Sequence, residues 1–108
     1  MEGEAEGLSV AQLRQVTRTA RELIELIAGD SSAVVRVGTT AATEHDGVVV
    51  VLVVRAHLVR YLVGTDGKTA RAASYLLRVY SKRLGMPRCD IRILGALTEA
   101  PRSVAWLL

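Results

Sequence analysis

Apolar residues recur every three or four positions near the start of the chain, which is the spacing of one face of an α-helix. They are Val10, Leu13, Val16, Ala20, Leu23, Ile24 and Ile27. Ser9 and Gln12 have the spacing of a capping box, and Gly29 suits the left-handed residue that ends a helix. The pattern predicts an amphipathic helix over residues 10–28. Its polar residues Arg14, Arg18, Arg21 and Glu25 are expected to face mostly water.

The next two segments have the pattern of a β-hairpin. Residues 33–40 alternate weakly and are rich in Val and Thr, which predicts a strand. Asp46-Gly47 is a strong turn signal within residues 44–47. Residues 48–55 are almost continuously apolar and β-branched, which is typical of a central strand or one covered on both faces. We expect the two strands to pair.

The second half of the chain predicts a short helix over residues 56–63, a loop at 64–67 and a long helix over 69–84. The expected buried stripe of the long helix is Ala70, Ala73, Leu76, Leu77, Tyr80 and Leu84. Gly85 and Pro87 end this helix. Residues 88–94 then alternate apolar and charged side chains, which predicts a half-buried strand with one charged face.

These elements define one folded region between two flanking segments. We expect an acidic, disordered lead at residues 1–8, a domain at 9–95 and an apolar tail at 96–108. The lead carries Glu2, Glu4 and Glu6. Because the tail ends in VAWLL, we expect it to dock on the body of the domain or on another subunit.

The chain has 108 residues, of which half are hydrophobic, so it suits one small domain. It contains neither an apolar run of the roughly 20 residues needed for a membrane span nor a signal-peptide pattern. Cys89 is the only cysteine, which excludes an internal disulfide and a zinc cage, and we expect it half-buried in a strand. We therefore predict a cytoplasmic protein without a membrane, metal or cofactor.

Basic residues are concentrated in the second half. The net charge is +3, but the stretch from position 55 to 92 holds nine basic and only two acidic residues. Such a cluster suits a polyanion, although a solvated helix face would have the same composition. His45 and His57 have no nucleophile or carboxylate at a suggestive spacing, so we expect no catalytic residues and no enzyme activity.

The segment GTDGKT carries the candidate chemistry. Gly64 and Gly67 let bare backbone approach an anion, and Lys68 and Arg71 follow at the start of a helix. The phosphate loop of nucleotide hydrolases has a similar end, but Leu62 stands where that loop requires its first glycine. We therefore reject a nucleotide-hydrolase site and predict a site for a nucleic-acid backbone.

A GxxG loop between two helices, in this order of elements, resembles the KH family of RNA-binding domains in its type II topology. The closest likeness is to the small stand-alone bacterial KH proteins of the KhpA type, over residues 13–94. The resemblance implies an α+β fold of order α-β-β-α-α-β, with its helices packed on one face of a three-stranded sheet. It also implies that the loop clamps about four unpaired nucleotides.

Carried onto this chain, the resemblance implies a single-stranded RNA site at Gly64, Thr65, Asp66, Gly67, Lys68 and Arg71. Thr65 replaces a frequent basic residue, and Ala70 replaces a larger aliphatic one. Asp66 brings a negative charge towards the phosphates, although its carboxylate would also be a good helix cap.

The implied role is post-transcriptional regulation or RNA chaperoning, by a homodimer or by pairing with a second KH-containing protein. The main alternative is a KH-fold protein-interaction module with weak or lost RNA binding. Association with ribosomal or pre-ribosomal RNA and binding of single-stranded DNA also stay open.

Overall fold

A computed structural model describes residues 8–107 of the chain. The predicted acidic lead therefore lies outside the described residues, apart from Leu8. The helices are α1 (Val10–Ala28), α2 (Val59–Val63) and α3 (Lys68–Arg83), and short 3-10 turns at Ala56–Leu58 and Thr65–Gly67 precede the last two. The strands are β1 (Val34–Ala41), β2 (Val48–Val54), β3 (Cys89–Gly95) and β4 (Ala105–Trp106).

The four strands form one mixed sheet in the order β3-β2-β1-β4. β1 and β2 make the predicted antiparallel hairpin, whereas β2 and β3 run parallel because α2 and α3 cross between them. The α+β class is confirmed. The predicted number of three strands is wrong, because β4 extends the sheet beyond β1.

A glycine in β1 makes room for this fourth strand. A methyl group on Gly38 would lie 2.5 Å from Cγ1 of Val104 and 2.8 Å from the ring of Trp106. The Leu107 N–H also donates to the carbonyl of Val37 at 2.8 Å. The tail therefore docks on the sheet of its own chain.

The core lies between the helices and one face of the sheet. β2 is central and six of its seven residues are buried, as its composition predicted. Alternate residues of β2 share one hydrophobic cluster with residues of all three helices, so the helices cover the same face. Its fully buried members include Val16, Ala20, Ile24, Val50, Leu52, Leu62, Ala73 and Leu77.

The ends of α1 follow the sequence signals. The Ser9 hydroxyl accepts from the Gln12 N–H, and the Ser9 N–H donates to the Gln12 side chain, both at 3.1 Å. Gly29 ends the helix at φ 67°. The expected inward position of Val10 is wrong, since this side chain in the first turn is 68% exposed.

The buried stripe of α3 differs from the prediction. Leu76 and Leu84 are 51% and 42% exposed, while Ser74 and Ser81 are buried in their place. The Ser74 hydroxyl accepts from the Ile91 N–H at 2.8 Å and donates to its carbonyl at 3.0 Å. These bonds join α3 to β3 and explain why a polar residue faces the core.

Two further observations concern the single cysteine and the membrane-span prediction. Cys89 lies in a strand as predicted, but it is fully buried rather than half-buried, and its thiol donates to the Pro87 carbonyl at 3.3 Å. None of the described helices combines the length and the apolar character needed to cross a bilayer.

Candidate nucleic-acid interface

All six predicted site residues lie on the turn between α2 and α3 or in the first turn of α3. α2 ends at Val63, residues 65–67 form a tight 3-10 turn, and α3 begins at Lys68. The Gly67 N–H donates to the Gly64 carbonyl at 3.1 Å, which closes the turn. We call residues 64–68 the glycine turn.

Position 64 requires glycine because of its backbone conformation and because of the atoms that surround it. Its φ of 81° and ψ of 172° lie in a region that is essentially restricted to glycine. A methyl group here would lie 2.4 Å from the Thr69 hydroxyl and 2.9 Å from the Thr69 backbone nitrogen. The turn therefore packs its backbone directly against the start of α3.

Gly67 lies close to the guanidinium of Arg71. Its φ is 74°, and a methyl group on it would lie 3.1 Å from Nη1 of Arg71. The guanidinium of Arg71 thus folds back over the glycine turn, while Lys68 is exposed in the first turn of the helix. No side chain caps this end of α3, and the Lys68 N–H donates to the Thr65 carbonyl. The positive end of the α3 dipole adds to the charge of Lys68 and Arg71 in the first turn.

Asp66 occupies the most strained position of the glycine turn. Its φ of 55° is the only positive value for a non-glycine residue in the described chain. Its expected role as a helix cap is wrong, because Gly67 is the N-cap residue and lacks a side-chain bond. Among the described residues, neither Lys68 nor Arg71 forms an ion pair with Asp66. The exposed carboxylate therefore stands beside the cations without direct neutralisation.

Two arginines of the basic second half are engaged elsewhere. Asp90 on β3 bonds to Arg78 of α3 and to Arg88, each at 3.2 Å. Burial raises the pKa of Asp90, but hydrogen bonds from Arg88 and His45 and the two arginine charges lower it more, so the net shift is downward. The basic charge that the sequence suggests for an interface is therefore partly neutralised within the fold.

His45 also contacts Asp90 and has a structural role. Its Nδ1 accepts from the Gly47 N–H at 2.9 Å, so the ring nitrogen that faces Asp90 at 2.9 Å, Nε2, carries the hydrogen. The imidazole thereby ties the β1–β2 turn to β3. Sequence reasoning placed His45 only in a turn, because its partner is 45 residues away along the chain.

The described side chains offer little for nucleophilic or metal chemistry. Burial raises the pKa of the Cys89 thiol to about 11, which keeps it protonated at neutral pH. Within residues 8–107, no three His, Cys, Asp or Glu side chains stand close enough together to hold a metal ion.

Sequence reasoning missed a second basic surface. Arg14, Arg18 and Arg21 are exposed as expected, but together with Arg36 they line a groove that Trp106 also lines. The helical spacing of Arg14, Arg18 and Arg21 was the sequence signal that could have indicated this surface. The groove itself depends on the pairing of β4 with β1, whereas the sequence predicted only that the tail docks on the domain or on another subunit.

Comparison of the chain with protein-family models, with curated proteins and with solved structures finds no match.

Proposed function

We propose that this protein is a type II KH domain that binds single-stranded RNA, without catalysis, through the glycine turn. The observation that carries the proposal is the tight turn formed by two glycines at positive φ, with the Arg71 guanidinium folded over Gly67 and Lys68 exposed next to it. A phosphate that approaches this turn would meet a helix N-terminus without a side-chain cap, the positive end of the α3 dipole and two cations. These are the contacts that position a nucleic-acid backbone without reading its sequence.

The order of elements supports the type II assignment. A helix and a hairpin come first, two helices joined by the glycine turn follow, and the last strand pairs parallel to β2. This is the order that the resemblance implies for residues 13–94. β4 is an addition outside that order.

The proposed footprint of about four nucleotides predicts weak binding by one domain. Pairing of two domains would raise the affinity through effective concentration, so the proposal includes a homodimer or a second KH-containing partner. The proposed role is post-transcriptional regulation or RNA chaperoning in the cytoplasm. Binding of single-stranded DNA or of ribosomal RNA would use the same backbone contacts.

The test is a fluorescence-anisotropy titration of a labelled single-stranded RNA pool at several salt concentrations. Wild type is compared with Thr65→Asp, which adds a second carboxylate to the glycine turn, and with Thr65→Asn as the uncharged control of similar shape. Thr65 is exposed, so neither change disturbs the core. Two or three phosphate contacts predict a slope of log affinity against log salt of about −1.4 to −2, at roughly −0.7 per contact.

We expect Thr65→Asp to lose most of the salt-dependent binding and Thr65→Asn to retain it. Equal binding by all three proteins would remove the glycine turn from the interface. Absence of wild-type binding to RNA would reject the RNA-binding function itself.

The second candidate function is a KH-fold protein-interaction module. Two observations favour it: Asp66 stands without direct neutralisation, and α3 exposes an apolar strip of Tyr75, Leu76 and Val79. These side chains are 60%, 51% and 39% exposed and share one side of the helix. Sedimentation equilibrium of wild type and Leu76→Asp separates the candidates, because a stable oligomer that dissociates in the variant, together with no RNA binding, supports the module.

A further inference from the structure

A groove of about 660 Å³ lies between α1 and the edge of the sheet where β1 meets β4. We call it the α1–β1 groove. Four of its nine lining residues are arginines: Arg14, Arg18, Arg21 and Arg36. None of its lining residues belongs to the glycine turn or to α3. It is therefore a separate surface, at the opposite sheet edge from β3, the strand against which α3 packs.

The three arginines of α1 form a row along one wall of the groove. Positions 14, 18 and 21 are separated by four and three residues, so their side chains share one helix face. The rise of an α-helix places the first and last about 10 Å apart along its axis. A row of this length offers contacts to more than one anionic group on a chain.

Arg36 of β1 also lines the groove, and its guanidinium is held by stacking. Its guanidinium lies 3.9 Å from the centroid of the Trp106 ring, which packs on Gly38. A cation–π contact uses the flat face of the guanidinium and leaves its N–H edges available for hydrogen bonds. The docking of β4 thus positions a fourth cation.

Most of this charge is not neutralised within the described chain. Arg21 pairs with Glu25 at 2.9 Å, whereas Arg14, Arg18 and Arg36 form no ion pair with any residue of the described range. The guanidinium fork matches the oxygens of a phosphate. Val35, Val37 and Leu107 line the same groove and provide apolar surface that suits a sugar or a base.

We propose that the α1–β1 groove is a second site for the backbone of single-stranded nucleic acid. A row of guanidinium groups beside apolar surface fits a phosphodiester strand better than an isolated phosphate, which would use one or two of the cations. The proposal extends the footprint of the protein beyond the glycine turn. It does not require the glycine turn to bind, because the two surfaces share no residue.

The experiment measures affinity by anisotropy for two labelled oligouridines, a tetranucleotide and a strand of about 16 nucleotides. The groove variant is Arg14→Gln/Arg18→Gln, and the matched control is Arg83→Gln/Arg102→Gln, which removes two exposed charges that do not line the groove. Each double variant is also made with Thr65→Asp. Circular dichroism checks that every protein is folded.

We expect the groove variant to bind the long strand about tenfold more weakly and to have a salt slope smaller in magnitude by about 1.4, for two lost phosphate contacts. Binding of the tetranucleotide stays close to wild type, and the control loses much less affinity for the long strand. The Thr65→Asp variant alone should retain residual salt-dependent binding of the long strand. The protein that combines Thr65→Asp with the groove variant should lose it.

The two proposals fail separately. If Thr65→Asp has no effect while the groove variant behaves as expected, the glycine turn is not the site and the groove proposal stands. Equal affinity of the groove variant, the control and wild type for the long strand would overturn the groove proposal. Binding of a labelled polyglutamate peptide that is lost in the groove variant, with RNA binding unchanged, would assign the groove to acidic protein segments and also overturn it.

Discussion

The glycine turn and the α1–β1 groove both offer positive charge to a phosphate, but they are built in different ways. The glycine turn consists of residues adjacent in sequence, and its shape comes from backbone dihedral angles at Gly64 and Gly67. The groove draws its residues from positions 14 to 107, on one helix and two strands. Its shape comes from the docking of these elements.

This difference predicts that the two surfaces are sensitive to different substitutions. The glycine turn should tolerate changes in its exposed side chains better than any added Cβ at Gly64, because the backbone there packs on Thr69. The groove should tolerate the loss of one arginine but not the displacement of β4, which holds Trp106 and through it Arg36. Substitutions at one glycine in each region test these expectations.

Gly64→Ala should have the largest effect. The alanine would adopt a conformation essentially restricted to glycine and would contact the Thr69 backbone, so we expect a loss of about 3 kcal/mol in the free energy of unfolding. Urea denaturation measures it. The control is Gly85→Ala, which has φ 71° but open space around it and should cost about 1 kcal/mol. Similar losses for both would show that the Thr69 contact adds nothing.

Gly38→Ala should have the next largest effect and should affect the groove. The added methyl would overlap Val104 and Trp106, so we expect a loss of about 2 kcal/mol and partial release of β4. Trp106 is the only tryptophan, and its fluorescence emission should shift to the red as it meets water. Gly85→Ala should leave that emission unchanged.

The same variant sharpens the comparison of the two surfaces. Because Gly38→Ala displaces the support of Arg36, it should weaken binding of the long RNA strand while binding of the tetranucleotide stays near wild type. An unshifted Trp106 emission in Gly38→Ala would contradict the role given to this glycine.

Asp90→Asn should have the smallest effect of the three on stability. It weakens the bonds to Arg78, Arg88 and His45, and we expect a loss of about 1–2 kcal/mol at pH 7. Asp46→Asn is the control, because it removes a carboxylate from the nearby exposed turn that forms no ion pair within residues 8–107. Urea denaturation from pH 7 to pH 2 follows both variants.

The pH dependence has a definite sign. The pKa of Asp90 is lower in the folded protein than its ordinary value of 3.8, so its stabilising contribution is present above that value. The contribution is lost as the pH falls through the folded-state pKa and the carboxylate becomes protonated. The difference between wild type and Asp90→Asn should therefore shrink below pH 4. A difference that stays constant down to pH 2 would mean that the charge of Asp90 is not involved.

Local patterns predicted most of the secondary structure because they depend on neighbouring residues. The capping box at Ser9, the left-handed end at Gly29 and the Asp46-Gly47 turn signal act within one or two helical turns or a single hairpin. The glycine turn belongs to the same class, since its two glycines and Lys68 are close in sequence.

The error in the buried stripe of α3 has a different cause. Ser74 faces the core because its hydroxyl bonds to the backbone of Ile91, and Leu76 is exposed as a consequence of that orientation. Hydropathy alone ranks the leucine as the buried residue. Only the approach of β3 to α3 reverses this ranking, because it supplies partners for a buried hydroxyl.

The sequence by itself determined the element order up to β3, the buried character of β2 and the location of the glycine turn, since hydrophobic period and glycine spacing are local properties. The tertiary structure decided that the tail becomes β4, that Asp90 engages two arginines, and that Arg36 lines one groove with the arginines of α1. These contacts join residues far apart in the chain. They form only when packing of the shared core brings their elements together, so no local pattern encodes them.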